Sequence, residues 1–200
     1  MYKAVGSRGS RVSRVVWMLE ELGEPYEFVP VKLRSPEAYA LNPSGKVPIL
    51  IDDELTITDS AAICTYLADK HADKGMGANI GLAGRAEMDS WMHFAQSEVE
   101  APLWNKLRHR FILPDELRVD VGPATAHDFA SEVKALDRRL GENQYALGDR
   151  FSAVDVMLGD MGAWARAGRF RIESDRVNAY MDRVLGRPAR ARSQAVCGFQ

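Results

Sequence analysis

The sequence predicts a small α/β unit followed by an all-helical bundle. Three observations carry this. Over residues 1–74, apolar runs of strand type alternate with helical apolar stripes. Residues 75–84 lie in a glycine-rich stretch, "ADKGMGANIGLAG", and read as a linker. Over residues 85–200, apolar side chains recur at steps of three and four.

Each element follows from its residues. "YKAVGS" is the first strand. Val12, Val15, Val16, Leu19 and Leu22 then share one helical face, with Ser10 placed to cap that helix and Gly23 and Pro25 to stop it. "YEFVPV" is the second strand, and "SPEAYALNPSG" is turn-rich with room for one short helix. "KVPILID" and "LTIT" are strands around a "DDE" turn, and "DSAAICTYLADKH" is a helix. Beyond the linker, Met88, Trp91, Met92, Ala95 and Val99 mark a helix that Pro102 should kink or end. Phe129, Val133, Leu136 and Leu140 mark a second helix. Val154, Met157, Leu158, Met161 and Trp164 mark a third, opened by a capping box of Ser152 and Asp155. Val177, Tyr180, Met181 and Val184 mark a fourth, closed by Gly186 and Pro188.

Bulk composition excludes several classes. With 26 basic and 28 acidic residues the net charge is −2, so there is no global basic field and no nucleic-acid partner is expected. Arg183, Arg187, Arg190 and Arg192 read as a solvated surface. Two cysteines, Cys64 and Cys197, make no disulfide framework, and Cys64 reads as an inert core thiol. The four histidines show no ligand spacing, so no metal is expected. No apolar run reaches about 18 residues, and the start carries no signal-type stretch. A soluble cytoplasmic protein without a membrane partner is the expectation.

Pro48 sits inside an apparent strand, where it cannot donate a ladder hydrogen bond. A strand–helix–strand unit, then a strand entered at an X-Pro bond, a hairpin and a helix, suggests a thioredoxin-like fold. A cis Val47–Pro48 bond would turn the backbone of Val47 outward to pair with a short peptide; a trans edge proline with no ligand is the alternative. Asp59 and Ser60 open a helix, where free N–H groups favour a carboxylate. Ser60 adds a hydroxyl donor and Asp59 an anion suited to an ammonium group, although both can serve as caps alone. Lys46 offers charge to a second carboxylate.

"NPSGKVPILIDDELTITDSAAICTYLAD" resembles the glutathione-binding segment of the cytosolic glutathione S-transferases. "VVWMLEELGEPYE", "FSAVDVMLG" and "NAYMDRVLGRPA" resemble further segments of that family in the same order. The resemblance implies a thioredoxin-like glutathione domain over 1–74, a linker over 75–84 and a helical domain over 85–200. It implies that Val47 binds the cysteinyl backbone of glutathione, that Pro48 is cis, that Asp59 and Ser60 hold the γ-glutamyl end and that Lys46 approaches the glycine carboxylate. Asp59 stands where the family usually has Glu, one methylene longer.

A free thiol has a pKa near about 8.5, so a catalyst must stabilise the thiolate. The family does this with Tyr, Ser or Cys after the first strand. Here that stretch is "GSRGSR", without cysteine, and Ser10 is the first candidate with Ser7 second. The resemblance therefore implies a bacterial-type, serine-using transferase acting on small, largely apolar electrophiles, with glutathione as co-substrate and a homodimer as assembly. Trp91, Phe94, Trp104 and Phe111 are candidates to line the electrophile pocket. The alternatives are a non-catalytic binding or regulatory protein, or a glutathione-dependent isomerase, peroxidase or reductase on the same fold.

Overall fold

The computed structural model describes residues 1–198; residues 199 and 200, the end of the expected helical domain, lie outside the described residues. The chain forms two compact units. The first comprises Met1–Gly77 together with the C-terminal residues from Gly186 onward, and the second is Ala78–Leu185.

The first unit is thioredoxin-like. Its elements are β1 (Tyr2–Gly6), α1 (Val12–Leu22), β2 (Tyr26–Pro30), α2 (Pro36–Leu41), β3 (Ile49–Asp52), β4 (Leu55–Thr58) and α3 (Ser60–Lys70). α9 (Pro188–Cys197) completes it. The sheet order is β2-β1-β3-β4. β1 runs parallel to β2 and antiparallel to β3, and β3 is antiparallel to β4. The parallel pair needs a crossover, which α1 supplies.

α1 is buried almost all round. Val12, Val15, Val16, Trp17, Met18 and Leu19 have no solvent exposure, because β1, α3 and α9 all pack on it. A helix apolar on one face only would not tolerate this. Gly6 permits the tight joint between β1 and α1, since a Cβ there would meet the Val12 side chain at 2.8 Å.

α9 corrects the expected solvated arginine surface. α8 closes before Gly186 as expected, but Pro188 also takes the first turn of a new helix, where its missing N–H costs nothing. Arg187 makes two bonds to Glu21, at 2.6 and 2.7 Å. Arg192 bonds Glu20 at 2.5 Å. Arg190 is buried, with its guanidinium 5.0 Å from the centre of the Trp17 ring. The tail arginines thus fasten α9 to α1.

The second unit is helical: α4 (Gly81–Phe94), α5 (Glu100–Leu107), α6 (Gly122–Leu140), α7 (Ala153–Ala167) and α8 (Asp175–Leu185). α4 and α5 form one continuous helical run through a π-helical segment, Ala95–Val99, and a second, Arg108–Ile112, extends it. The run does not end at Pro102. The π segment just before the proline changes the local hydrogen-bond register, which is where a proline's missing donor and ring are best accommodated. Trp91 and Phe94 are core residues, stacked edge to face and covered by Arg139 of α6 at 4.6 and 4.5 Å. The expected capping box opens α7. Asp155, fully buried, accepts bonds from the amides of Ser152 and Ala146 and the hydroxyl of Tyr180, all at 2.8–2.9 Å. Burial pushes its carboxyl above the usual range against the pull of these donors. No helix among the described residues is long and apolar enough to cross a membrane.

The two fastening arginines should differ in weight. Glu21 is 7% exposed in its side chain and Glu20 18%. Arg187→Met leaves a nearly buried carboxylate without its cation, with the Trp17 indole N–H still donating to it at 3.0 Å, and is expected to cost about 2–3 kcal/mol. Arg192→Met is expected to cost less than about 1 kcal/mol. Urea unfolding of both variants against wild type checks this.

Candidate functional site

Sheet register brings four chain segments to one edge. Gly6 of β1 is level with Pro30 of β2, Val5 with Ile49 of β3, and Ile49 with Thr58 of β4. The loop after β1, the loop after β2, the entry to β3 and the exit from β4 therefore all emerge there. The predicted residues Ser7, Ser10, Val47, Pro48, Asp59 and Ser60 lie on three of these segments, with Lys46 beside them.

The first segment separates the two serines. Ser7 donates its hydroxyl proton to the Val31 carbonyl at 2.8 Å. Ser10 accepts from the Val12 amide at 3.3 Å, and its own proton has no acceptor among the described residues. The structure corrects one detail of the expected cap: α1 begins at Val12, Arg11 occupies the cap position, and Ser10 precedes it. The loop is held from outside by α9, through a 2.8 Å bond from the Gly9 amide to the Cys197 carbonyl and a bond from Arg8 to the Val196 carbonyl.

The Val47–Pro48 bond is cis. Val47 is half-buried, and neither its N–H nor its C=O has a hydrogen-bond partner among the described residues. Most half-buried backbone groups find one. The turn before it is set by Asn42, a buried residue that the sequence reading did not single out. Its amide donates to the Lys46 carbonyl at 2.8 Å, and its oxygen accepts from the Ser44 amide at 3.0 Å and hydroxyl at 2.8 Å. Lys46 is exposed.

Asp59 and Ser60 form the third segment. Asp59 is in the left-handed half of backbone space, φ 76°, which costs a non-glycine residue on the order of 1–3 kcal/mol. Its carboxylate caps α3 by accepting from the amides of Ala61 at 2.9 Å and Ala62 at 3.4 Å. Ser60 is buried, and its hydroxyl accepts from Arg14 at 3.1 Å. Arg14 itself has no solvent exposure. A guanidinium behind the hydroxyl polarises it as a donor and adds positive charge beneath the α3 N-terminus. Arg14 was also missed from sequence. The available signal was an arginine set among the apolar stripe residues Val12, Val15 and Val16.

A Val47 backbone pair and a Ser10 hydroxyl proton without partners among the described residues, together with a positively polarised helix start, can hold a small peptide that carries a carboxylate. Comparisons with known proteins agree with that chemistry. Residues 5–75 match the family model described as "Glutathione S-transferase, N-terminal domain". A protein of Schizosaccharomyces pombe named "Glutathione S-transferase 3" is 30% identical over 166 residues, covering 76% of this chain and 69% of that protein. The chain belongs to the glutathione S-transferase family. "Glutathione S-transferase 4" of Zea mays is 38% identical over 153 residues, covering 72% of this chain and 68% of that protein. Among solved structures, a "Ternary complex of BphK, a bacterial GST" aligns with a TM-score of 0.84 and 27% identity, covering 98% of this chain and 100% of that one. The family architecture, a thioredoxin-like unit joined to helices, is the one found here.

Among the described residues, no group of three or more His, Cys, Asp or Glu side chains could hold a metal. Asn42→Ala removes three hydrogen bonds from the turn that presents Val47. It is expected to cost about 2 kcal/mol and to speed amide exchange at Ser44 many-fold. Denaturant titration and hydrogen exchange check both effects.

Proposed function

We propose that the chain binds glutathione along this sheet edge and conjugates it to a small electrophile. Family membership supports the chemistry, and the observation that carries the assignment to this edge is a Val47 backbone pair and a Ser10 hydroxyl proton that both lack partners among the described residues, on loops that emerge at the same end of the sheet. Val47 N–H and C=O pair with the cysteinyl unit. Ser60 receives the γ-glutamyl carboxylate at the start of α3, with Arg14 strengthening its hydroxyl as a donor. Asp59 receives the γ-glutamyl ammonium, and Lys46 the glycine carboxylate.

Ser10 donates to the sulfur and is not itself a nucleophile. A charge-assisted hydrogen bond contributes about 1.5–3 kcal/mol. That lowers the thiol pKa by about one to two units. From about 8.5, this raises the thiolate fraction at pH 7 from a few per cent to between about a quarter and three quarters. The thiolate attacks an electrophilic carbon, the S–C bond forms, and the leaving group departs with its electron pair. Ser10 is preferred to Ser7 for this role, since the Ser7 hydroxyl already donates to the Val31 carbonyl. We further propose that the protein acts as a homodimer in the cytoplasm and that residues 1–74 form its glutathione domain.

Glutathione titration by calorimetry, with turnover of 1-chloro-2,4-dinitrobenzene, tests the proposal on wild type, Ser10→Ala and Ser7→Ala. Ser10→Ala is expected to keep glutathione affinity within about threefold and to lose about 10–100-fold in kcat/KM, as one hydrogen bond to charge would. Its thiolate absorbance should titrate one to two units higher in pH. Ser7→Ala should change neither. Glutathione binding without turnover of any electrophile by wild type would favour the binding-protein alternative. No binding at millimolar glutathione would overturn the proposal.

A further inference from the structure

The loop that carries Ser10 is a four-residue turn, Ser7–Ser10, closed by a bond from the Ser10 amide to the Ser7 carbonyl at 3.1 Å. Gly9 holds its third position at φ 70°, the positive value that a type II turn requires there. Type I and type II turns differ by a half rotation of the central peptide, here Arg8–Gly9. The turn type therefore decides where the Gly9 N–H points. That N–H donates to the Cys197 carbonyl at 2.8 Å, and Arg8 donates to the Val196 carbonyl.

Both acceptors belong to the last turn of α9. The final carbonyls of a helix have no amide of their own helix to accept from, and they carry the negative end of its dipole. Arg8 brings a positive charge to that end, and Gly9 brings an amide. The last turn is itself anchored: Cys197 has no solvent exposure, and its thiol donates to the Ser193 carbonyl at 3.2 Å. At its other end α9 is tied to Glu21 through Arg187. α9 thus runs back along α1, from the end of that helix to the turn before its start.

Other groups hold the rest of the candidate edge. Asn42 sets the turn before Val47, and Arg14 holds Ser60. Within its own segment, Ser10 is fixed on the α1 side. Its carbonyl accepts from the Ser13 amide at 3.0 Å and its hydroxyl from the Val12 amide at 3.3 Å. On the β1 side it has the turn, and the turn leans on α9. A shift of the last turn of α9 would reach Ser10 and leave Val47 and Ser60 in place.

We propose that Arg8 and the last turn of α9 position the Ser10 hydroxyl on the glutathione sulfur, so that thiol activation near one end of the chain depends on the other end. This role presupposes that glutathione occupies the sheet edge. Arg8 is exposed and touches the site through the turn alone, which makes it a positioning residue. Two properties then separate. Glutathione affinity follows Val47 and Ser60, whereas the acidity of the bound thiol follows α9. Hydrogen bonds weaken steeply when misaligned, so a small displacement of the hydroxyl is enough.

Full-length variants test this. Val196→Pro unwinds the last turn, because a proline inside a helix removes one bond and clashes with the preceding turn. Val196→Ala leaves the backbone intact. Arg8→Met removes the second bond from an exposed side chain, and Arg8→Lys keeps a donor and the charge. In Val196→Pro the Gly9 amide should exchange about tenfold faster or more, as an N–H that loses its acceptor does. The absorbance of the bound thiolate should titrate about one unit higher, and kcat/KM for 1-chloro-2,4-dinitrobenzene at neutral pH should fall about 3–10-fold, with glutathione affinity within about threefold. Arg8→Met should show the same changes at about half the size on a logarithmic scale, while Arg8→Lys and Val196→Ala stay within about twofold of wild type. In a Ser10→Ala background neither Val196→Pro nor Arg8→Met should lower kcat/KM further, since positioning acts through that hydroxyl. An unchanged thiol titration in both variants, with wild type still turning over, would overturn the proposal. So would equal losses with and without the Ser10 hydroxyl. Should Val196→Pro fail to fold, Arg8→Met and its lysine rescue decide. A wild type that binds no glutathione would overturn both this role and the glutathione proposal.

Discussion

β1 hydrogen-bonds on both sides, in parallel to β2 and antiparallel to β3. Because β1 and β2 point one way and β3 the other, the ends of the first pair and the beginning of the third share an edge. β4, antiparallel to β3, ends there too. A one-residue slip in any pair would turn every side chain of a strand to the wrong face. The apolar alternation therefore fixes the register, and the register fixes which loops meet. The candidate site is made of residues far apart in sequence that have this edge in common.

Two helices then hold the edge still. α1 begins beside it, with Gly6 allowing the close approach of Val12. From within α1, Arg14 reaches Ser60 at the start of α3, so the first and third segments are joined through a buried hydrogen bond. α9 fastens to α1 through Arg187, Arg190 and Arg192 and ends with carbonyls that accept from Gly9 and Arg8. The loop that carries Ser10 is thus fixed by a helix from the far end of the chain. Functional groups need such support to stay within reach of their ligand.

Much of this was legible in the sequence, and the reasons are specific. Strand alternation and the stripe Val12, Val15, Val16, Leu19 and Leu22 are local patterns, so β1, α1 and the hairpin could be read directly. The Ser152–Asp155 box is likewise written in a few adjacent residues. What could not be read depends on distant partners. The arginines of α9 look solvated until Glu20 and Glu21 are seen opposite them. Pro188 reads equally as a stop or a start. The sequence ranks Ser10 ahead of Ser7 by position alone; that the Ser7 hydroxyl donates to the Val31 carbonyl depends on a strand pairing no local pattern shows. Arg14 carries no motif of its own, and Asn42, which opens the NPSGKVP segment, reads there only as a turn former; their importance lies in burial and in whom they touch. Of the two outcomes open for Pro102, the helix end does not occur, and the π segment just before it is the feature no local pattern shows.

The central claim is that the open backbone of Val47 is where a peptide ligand adds to the sheet. Amide proton NMR of the wild-type protein, with and without saturating glutathione, tests it most directly. The account expects the Val47 amide to move downfield and its exchange with solvent to slow at least tenfold, because an unpartnered N–H gains an acceptor. The amides of β2 should move little. An unchanged Val47 amide in a protein that demonstrably binds glutathione would contradict the account and place the ligand elsewhere.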